Sequence, residues 1–118
     1  MASSSVLPDI RRVERRKIDE YLLHPINSRG KASFFQAHGF ALVRWEALRD
    51  ALIEHASAWP VAEVVVSPYG SRYLVRGGLR TPSGRDPWPL VCSVWQADTG
   101  DTGVRLITAY PAYPANPA

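Results

Sequence analysis

The sequence predicts an α+β domain of two to three N-terminal helices packed on a four-stranded antiparallel β-meander, and three observations carry that expectation. Apolar residues recur at helical spacing up to Pro60, and short β-branched runs follow it. Turn chemistry divides the second half into four such runs. The chain has 118 residues, enough to bury one core and too few for two that are each stable alone.

Ile18, Tyr21 and Leu22 stand at helical spacing, and Pro25 forces an end near His24, giving a first helix over about 14–23. Ser28 can cap a second helix that runs to His38. Gly39 then takes the left-handed stop, with Phe40 folding back on Phe35. Trp45, Leu48, Leu52 and His55 form one stripe of a third helix that ends before Pro60. Strands are expected over 61–67 and 71–76, joined by the turn Ser67-Pro68-Tyr69-Gly70. Gly77-Gly78 permits a bulge or bend before Leu79, and Pro82-Ser83-Gly84 makes the next turn. A third strand covers about 90–96. The fourth covers 104–110, with Val104, Leu106, Thr108 and Tyr110 on one face and Arg105, Ile107 and Ala109 on the other. The whole of 1–118 reads as a single domain, with flexible tails at 1–8, which is serine-rich, and at 111–118, which is proline-rich.

A composition of 46% hydrophobic and 21% charged residues excludes disordered and membrane-spanning classes, so no membrane partner is expected. The N-terminus lacks the basic and apolar regions of a secretory signal, and the lone Cys92 forms no internal disulfide; both point to the cytoplasm. Net charge is only +3, yet Arg11, Arg12, Arg15, Arg16 and Lys17 crowd into seven positions. Such a cluster can meet phosphates or an acidic partner; the competing reading is a solvated helix face balanced by Glu14, Asp19 and Glu20.

Most motif tests fail. The tandem Asp-Thr-Gly at 98–103 resembles the aspartic protease triplet only locally, because two abutting copies in one turn cannot face each other across a two-fold axis. Gly30-Lys31-Ala32-Ser33 lacks the earlier glycine and the hydroxyl residue directly after lysine that a phosphate loop needs. His24, His38 and His55 have no metal-ligand spacing, so no metal and no cofactor are predicted. What remains is Lys31 in the first turn of the second helix, where amides favour an anion, and Thr108, Tyr110, Trp95 and Arg105 on neighbouring strands, able to stack on a base and hold a phosphate. Each has a bland alternative in ordinary packing.

Read in order, Tyr21-Leu22-Leu23, Gly30-Lys31-Ala32-Ser33-Phe34-Phe35, His38-Gly39-Phe40, Tyr69-Gly70-Ser71-Arg72-Tyr73-Leu74-Val75-Arg76-Gly77, Pro82-Ser83-Gly84-Arg85, Val94-Trp95 and Arg105-Leu106-Ile107-Thr108-Ala109-Tyr110-Pro111 resemble the pattern of a bacterial family over nearly the whole chain. The chain departs from that pattern at Gly30-Lys31, after a shortened loop, and at Arg76, where an acidic residue is expected. Its order of elements is in turn similar to that of the ribonuclease toxins grouped with barnase, EndoU, the tRNA-cutting colicins and RelE. The resemblance implies a metal-independent endoribonuclease, in which the ribose 2′-hydroxyl attacks the adjacent phosphate. It implies Lys31 and Arg85 for charge stabilisation, Thr108 for orienting the phosphate, Tyr110 as acid and Trp95 as base platform, with Arg72, Arg105 and the basic cluster binding RNA. A small acidic antidote protein is then the expected partner, and the enzyme would be a monomer or homodimer.

No general base stands out, since His38 and His55 both suit packing. The competing expectation is therefore a non-catalytic binding module, antitoxin-like, immunity-like or accessory, that grips its partner through 11–17.

Overall fold

The computed structural model describes residues 7–24, 26 and 29–112, with Arg29 described by its backbone alone. The expected cap Ser28 and the stop at Pro25 lie outside the described residues. The chain builds β1 (Arg11–Arg12), α1 (Arg15–Lys17) running into a π-helical turn (Ile18–Leu22), α2 (Arg29–Ala37), a 3₁₀ turn (Leu42–Arg44), α3 (Trp45–Ala58), and then β2 (Val61–Ser67), β3 (Gly70–Gly78), β4 (Leu90–Asp98) and β5 (Val104–Pro111). The α+β class stands. No helix among the described residues is long and apolar enough to cross a membrane.

The sheet has five strands in the order β1-β5-β4-β3-β2 and is mixed, which corrects the expected four-stranded antiparallel meander. The meander is present as β2 to β5. It is joined by Arg11 and Arg12, which pair in parallel with Val104 and Arg105. Two arginines show no alternation from which a strand could be read, and their pairing is a backbone event. Space for it comes from Gly103: a Cβ there would sit 2.6 Å from the Ile10 carbonyl, which accepts from the Val104 amide at 2.8 Å. Arg11 fastens this strap by donating to the Pro8 carbonyl at 2.9 Å and to Ser57 Oγ on α3. Leu7 is buried at the start of the strap, and Pro111 pairs with Val91 at the end of β5, so both stretches read as tails begin or end inside the fold. Arg72 and Arg76 lie on an interior strand; β2 and β1 form the edges.

The turn after α2 forms as expected. Gly39 has φ +96°, its amide donates to Gln36 at 3.0 Å, that of Phe40 donates to Phe35 at 3.1 Å, and the two phenyl rings meet edge to face. The first helix is less regular than its spacing suggests. Leu23 donates to Ile18 at 2.8 Å, and this wide turn buries Ile18, Leu22 and Leu23 while leaving Tyr21 half-exposed. No bulge occurs at Gly77-Gly78, because β3 keeps register with β4 from Gly70–Asp98 to Gly78–Leu90. These glycines instead admit aromatic rings: a Cβ at Gly77 would lie 2.3 Å from Trp59, whose indole N–H donates to Gly78 at 2.9 Å.

Directly paired residues share a face of a sheet. Rows Tyr73–Trp95–Leu106 and Val75–Ser93–Ala109 define the face covered by α3, with Trp95, Val75 and Leu106 in the core. His55 of α3 joins this face through a closed set of hydrogen bonds. Its Nε2 lies 3.1 Å from two carbonyls, Gly77 and Val91, and so carries the proton; Nδ1 then accepts from Ser93 Oγ at 2.9 Å, and Ser93 accepts from the Trp95 indole at 2.9 Å. The opposite face carries the rows Arg76–Cys92–Tyr110, Leu74–Val94–Thr108 and Arg72–Gln96–Arg105.

Candidate functional site

The pairing of β4 with β5 skips a residue, Val94 facing Thr108 and Trp95 facing Leu106, so Ile107 is the extra residue of a β-bulge. This corrects the expected alternation. Val104 and Leu106 point into the core with Ala109, whereas Arg105, Thr108 and Tyr110 gather on the other face. A two-residue period cannot reveal such a reset, because the bulge depends on the partner strand.

Over Thr108 the chain assembles a polar group from three elements. Lys31, in the first turn of α2, donates from Nζ to Tyr21 Oη at 2.5 Å and to Thr108 Oγ1 at 3.2 Å, and lies 4.7 Å from the Tyr21 ring centroid. All three residues are partly exposed. Among the described residues no carboxylate stands within 4 Å of Lys31, whose ammonium is met instead by two hydroxyls and the face of the Tyr21 ring. The ammonium lowers the Tyr21 pKa, chiefly through its hydrogen bond, with Thr108 and Lys17 adding in the same direction against burial. Lys17 itself lies 5.5 Å over the Tyr21 ring. Sequence reasoning missed Tyr21, which reads as one more apolar-stripe residue of the first helix; the signal available was a phenol on a stripe otherwise aliphatic.

Tyr110 sits two residues from Thr108 on the same face. Its hydrogen bond with Cys92 and its burial raise its pKa. Tyr21, reaching Thr108 from the π-helical turn, and Tyr110, two residues along β5, are thus shifted in opposite directions. Arg105 is held by Asp98 at 2.9 Å, which depresses that carboxyl, and Arg72 donates to Gln96 Oε1 at 3.2 Å.

Other residues read from the sequence are placed elsewhere. Trp95 is fully buried against the helices, so it cannot act as a base platform. It faces α3, in the core. Arg85 is exposed in a loop hollow shared with His38 and Pro87 near the C-terminal end of α2, and six residues along that helix from Lys31 is roughly 9 Å. His38 Nδ1 bonds the Phe34 carbonyl at 2.9 Å, and His55 is in the core. Of the basic cluster, Arg11 locks the strap, Arg12 pairs with Asp101 at 2.7 Å, and Arg15 pairs with Asp19 at 3.2 Å and stacks on Trp45; Arg16 is exposed and Lys17 alone reaches Tyr21. The tandem Asp-Thr-Gly is a turn whose two aspartates hold Arg105 and Arg12. Among the described residues no three His, Cys, Asp or Glu side chains cluster as metal ligands.

Comparison with solved structures finds the same fold in one chain of a contact-dependent growth inhibition toxin–immunity protein complex from Klebsiella pneumoniae 342. The TM-score is 0.67 at 18% identity, over 86% of this chain and 93% of that one. No curated protein matches. A family model matches residues 6–113, nearly all of the described fold, and the chain therefore belongs to the family described as the domain of unknown function DUF6883.

Proposed function

We propose that this domain is a toxin-like endoribonuclease that cleaves RNA without a metal, by attack of the ribose 2′-hydroxyl on the adjacent phosphate. One observation carries the reading: the Lys31 ammonium, free of carboxylates among the described residues, is fixed beside the Tyr21 and Thr108 hydroxyls by three separate elements. In-line attack on a phosphate builds negative charge on the non-bridging oxygens, and a preset cation with a hydroxyl donor stabilises it. Lys31 and Thr108 hold those oxygens. Tyr21, whose phenolate the neighbouring ammonium favours, takes the 2′-hydroxyl proton in that ionised form and becomes the neutral phenol, and Tyr110, with its raised pKa, delivers its proton to the departing 5′-oxygen. The products are a 2′,3′-cyclic phosphate and a 5′-hydroxyl. Two carboxylate-held arginines, Arg105 and Arg12, flank the site on and beside β5 and lend field more than contact.

Purified wild-type protein is expected to cut single-stranded RNA to fragments ending in cyclic phosphate, and its expression is expected to arrest a bacterial host. Lys31→Ala and Thr108→Ala keep the fold and lower the rate by about 10²-fold or more. A well-folded wild type that leaves RNA intact and growth normal removes the enzyme reading. A small acidic antidote is the partner that fits a toxin with this charge.

The second reading is a non-catalytic, immunity-like binding module. It is favoured by the internal neutralisation of Arg12, Arg15 and Arg105, which leaves a surface built of ion pairs. Under that reading the protein forms a stable complex with a protein partner, and Lys31→Ala has no effect on RNA or growth.

A further inference from the structure

Two residues along the strands from Thr108, on the same face of the sheet, Val65, Ser67, Arg72 and Gln96 line a hollow of about 210 Å³. The strand geometry separates it from the Lys31 group by roughly 7 Å along the strands and 10 Å across them. Taking RNA as the substrate proposed above, this is a reach of roughly one nucleotide. We infer that the hollow is a base subsite selective for guanine.

The selectivity follows from how the Gln96 amide is held. Gln96 is only 7% exposed, so each of its polar atoms needs a partner. Its Oε1 accepts from Arg72 Nε at 3.2 Å, and a guanidinium can only donate, so the oxygen end is fixed. The nitrogen end faces the Ala97 carbonyl at 3.4 Å, an acceptor, which fixes it as well. Gly70 makes this arrangement possible. At its φ of +133° a Cβ would stand 2.0 Å from the Ala97 carbonyl oxygen and 3.0 Å from Gln96 Nε2. With its oxygen occupied, the amide offers the hollow a second N–H, and the terminal nitrogens of Arg72 offer more. Ser67 is used by its turn, donating to Gly70 and accepting from Tyr69, and Val65 supplies an apolar wall.

A pocket of donors beside an apolar wall matches a flat ring with two adjacent acceptors. Guanine has them in O6 and N7; adenine sets an N6 donor next to N7, and a pyrimidine has no such adjacent pair on that edge. Adenine would press one donor against another. Guanine fills the hollow and satisfies both side chains.

The test titrates guanosine, adenosine and cytidine 3′-monophosphates into the full chain and follows binding by NMR, which does not depend on catalysis. Guanosine 3′-monophosphate is expected to bind about tenfold or more tightly than the other two. Arg72→Met, which removes donors and releases the amide, and Val65→Trp, which fills the hollow from the surface, are each expected to bring the three affinities together with the melting temperature unchanged. Equal affinities in the wild type, or a guanosine preference that survives both variants, overturn the inference. Cleavage of mixed-sequence RNA by the same wild type separates the two claims. Selective nucleotide binding with intact RNA supports the subsite and removes the chemistry; cut RNA with no selectivity overturns the subsite alone.

Discussion

At the scale of single residues, the depressed pKa of Tyr21 and that of His55 have different origins and different tests. Tyr21 is lowered mainly by the hydrogen bond from Lys31, so Lys31→Ala is expected to return its titration towards the ordinary value of 10.0, read from phenolate absorbance as pH rises. For His55 burial dominates, opposed by the two carbonyl bonds, and its folded pKa falls below the ordinary 6.5. The unfolded chain then binds the proton more readily. This contribution to stability is full above about pH 6.5 and is lost as pH falls from there through the lower folded value, so urea midpoints are expected to drop over that window. In His55→Ala the drop disappears and the protein loses about 3 kcal/mol at neutral pH, because Ser93 and two carbonyls lose their partner. Much at this scale was legible: Lys31 and Thr108 stood out as polar residues at unusual places, and they do meet. Arg85 and Trp95 were not, because their direction depends on a loop path and on which face α3 covers.

At the scale of elements, the sequence announces what local chemistry decides and hides what a neighbour decides. The α2 stop at Gly39 and Phe40, the three turns, and the span of α3 all follow from residues within a few positions of one another. The bulge at Ile107 and the strand at Arg11–Arg12 exist only because another strand lies alongside. The Gly77 and Trp59 contact belongs to the same class, and it gives an element-scale prediction. Gly77→Ala places a methyl 2.3 Å from the ring and is expected to cost about 2 kcal/mol in chemical denaturation, whereas in a Trp59→Ala background the same change costs less than half as much. Additive losses would show that the strand itself, and not the ring, rejects the methyl.

For the whole molecule, the ribonuclease reading makes a prediction about salt. A single strand releases counterions for each phosphate neutralised, so affinity for a short oligonucleotide is expected to fall with salt, and Lys31→Ala to reduce the slope of log affinity against log salt by about 0.7. A slope unchanged in that variant would place the backbone elsewhere. The α+β class and the single-core size were readable from the sequence because they rest on composition and periodicity summed over many residues. The mixed topology was not.

That topology also orders events during synthesis. β5 follows every other described strand along the chain, yet it lies inside the sheet, between β1 and β4, and it carries Thr108. While the C-terminal stretch is still inside the ribosome, the N-terminal strap has nothing to grip and the polar group around Lys31 lacks its third member. Under the ribonuclease reading, a nascent chain therefore cannot assemble its site until Thr108 has emerged and β5 has slotted between β1 and β4.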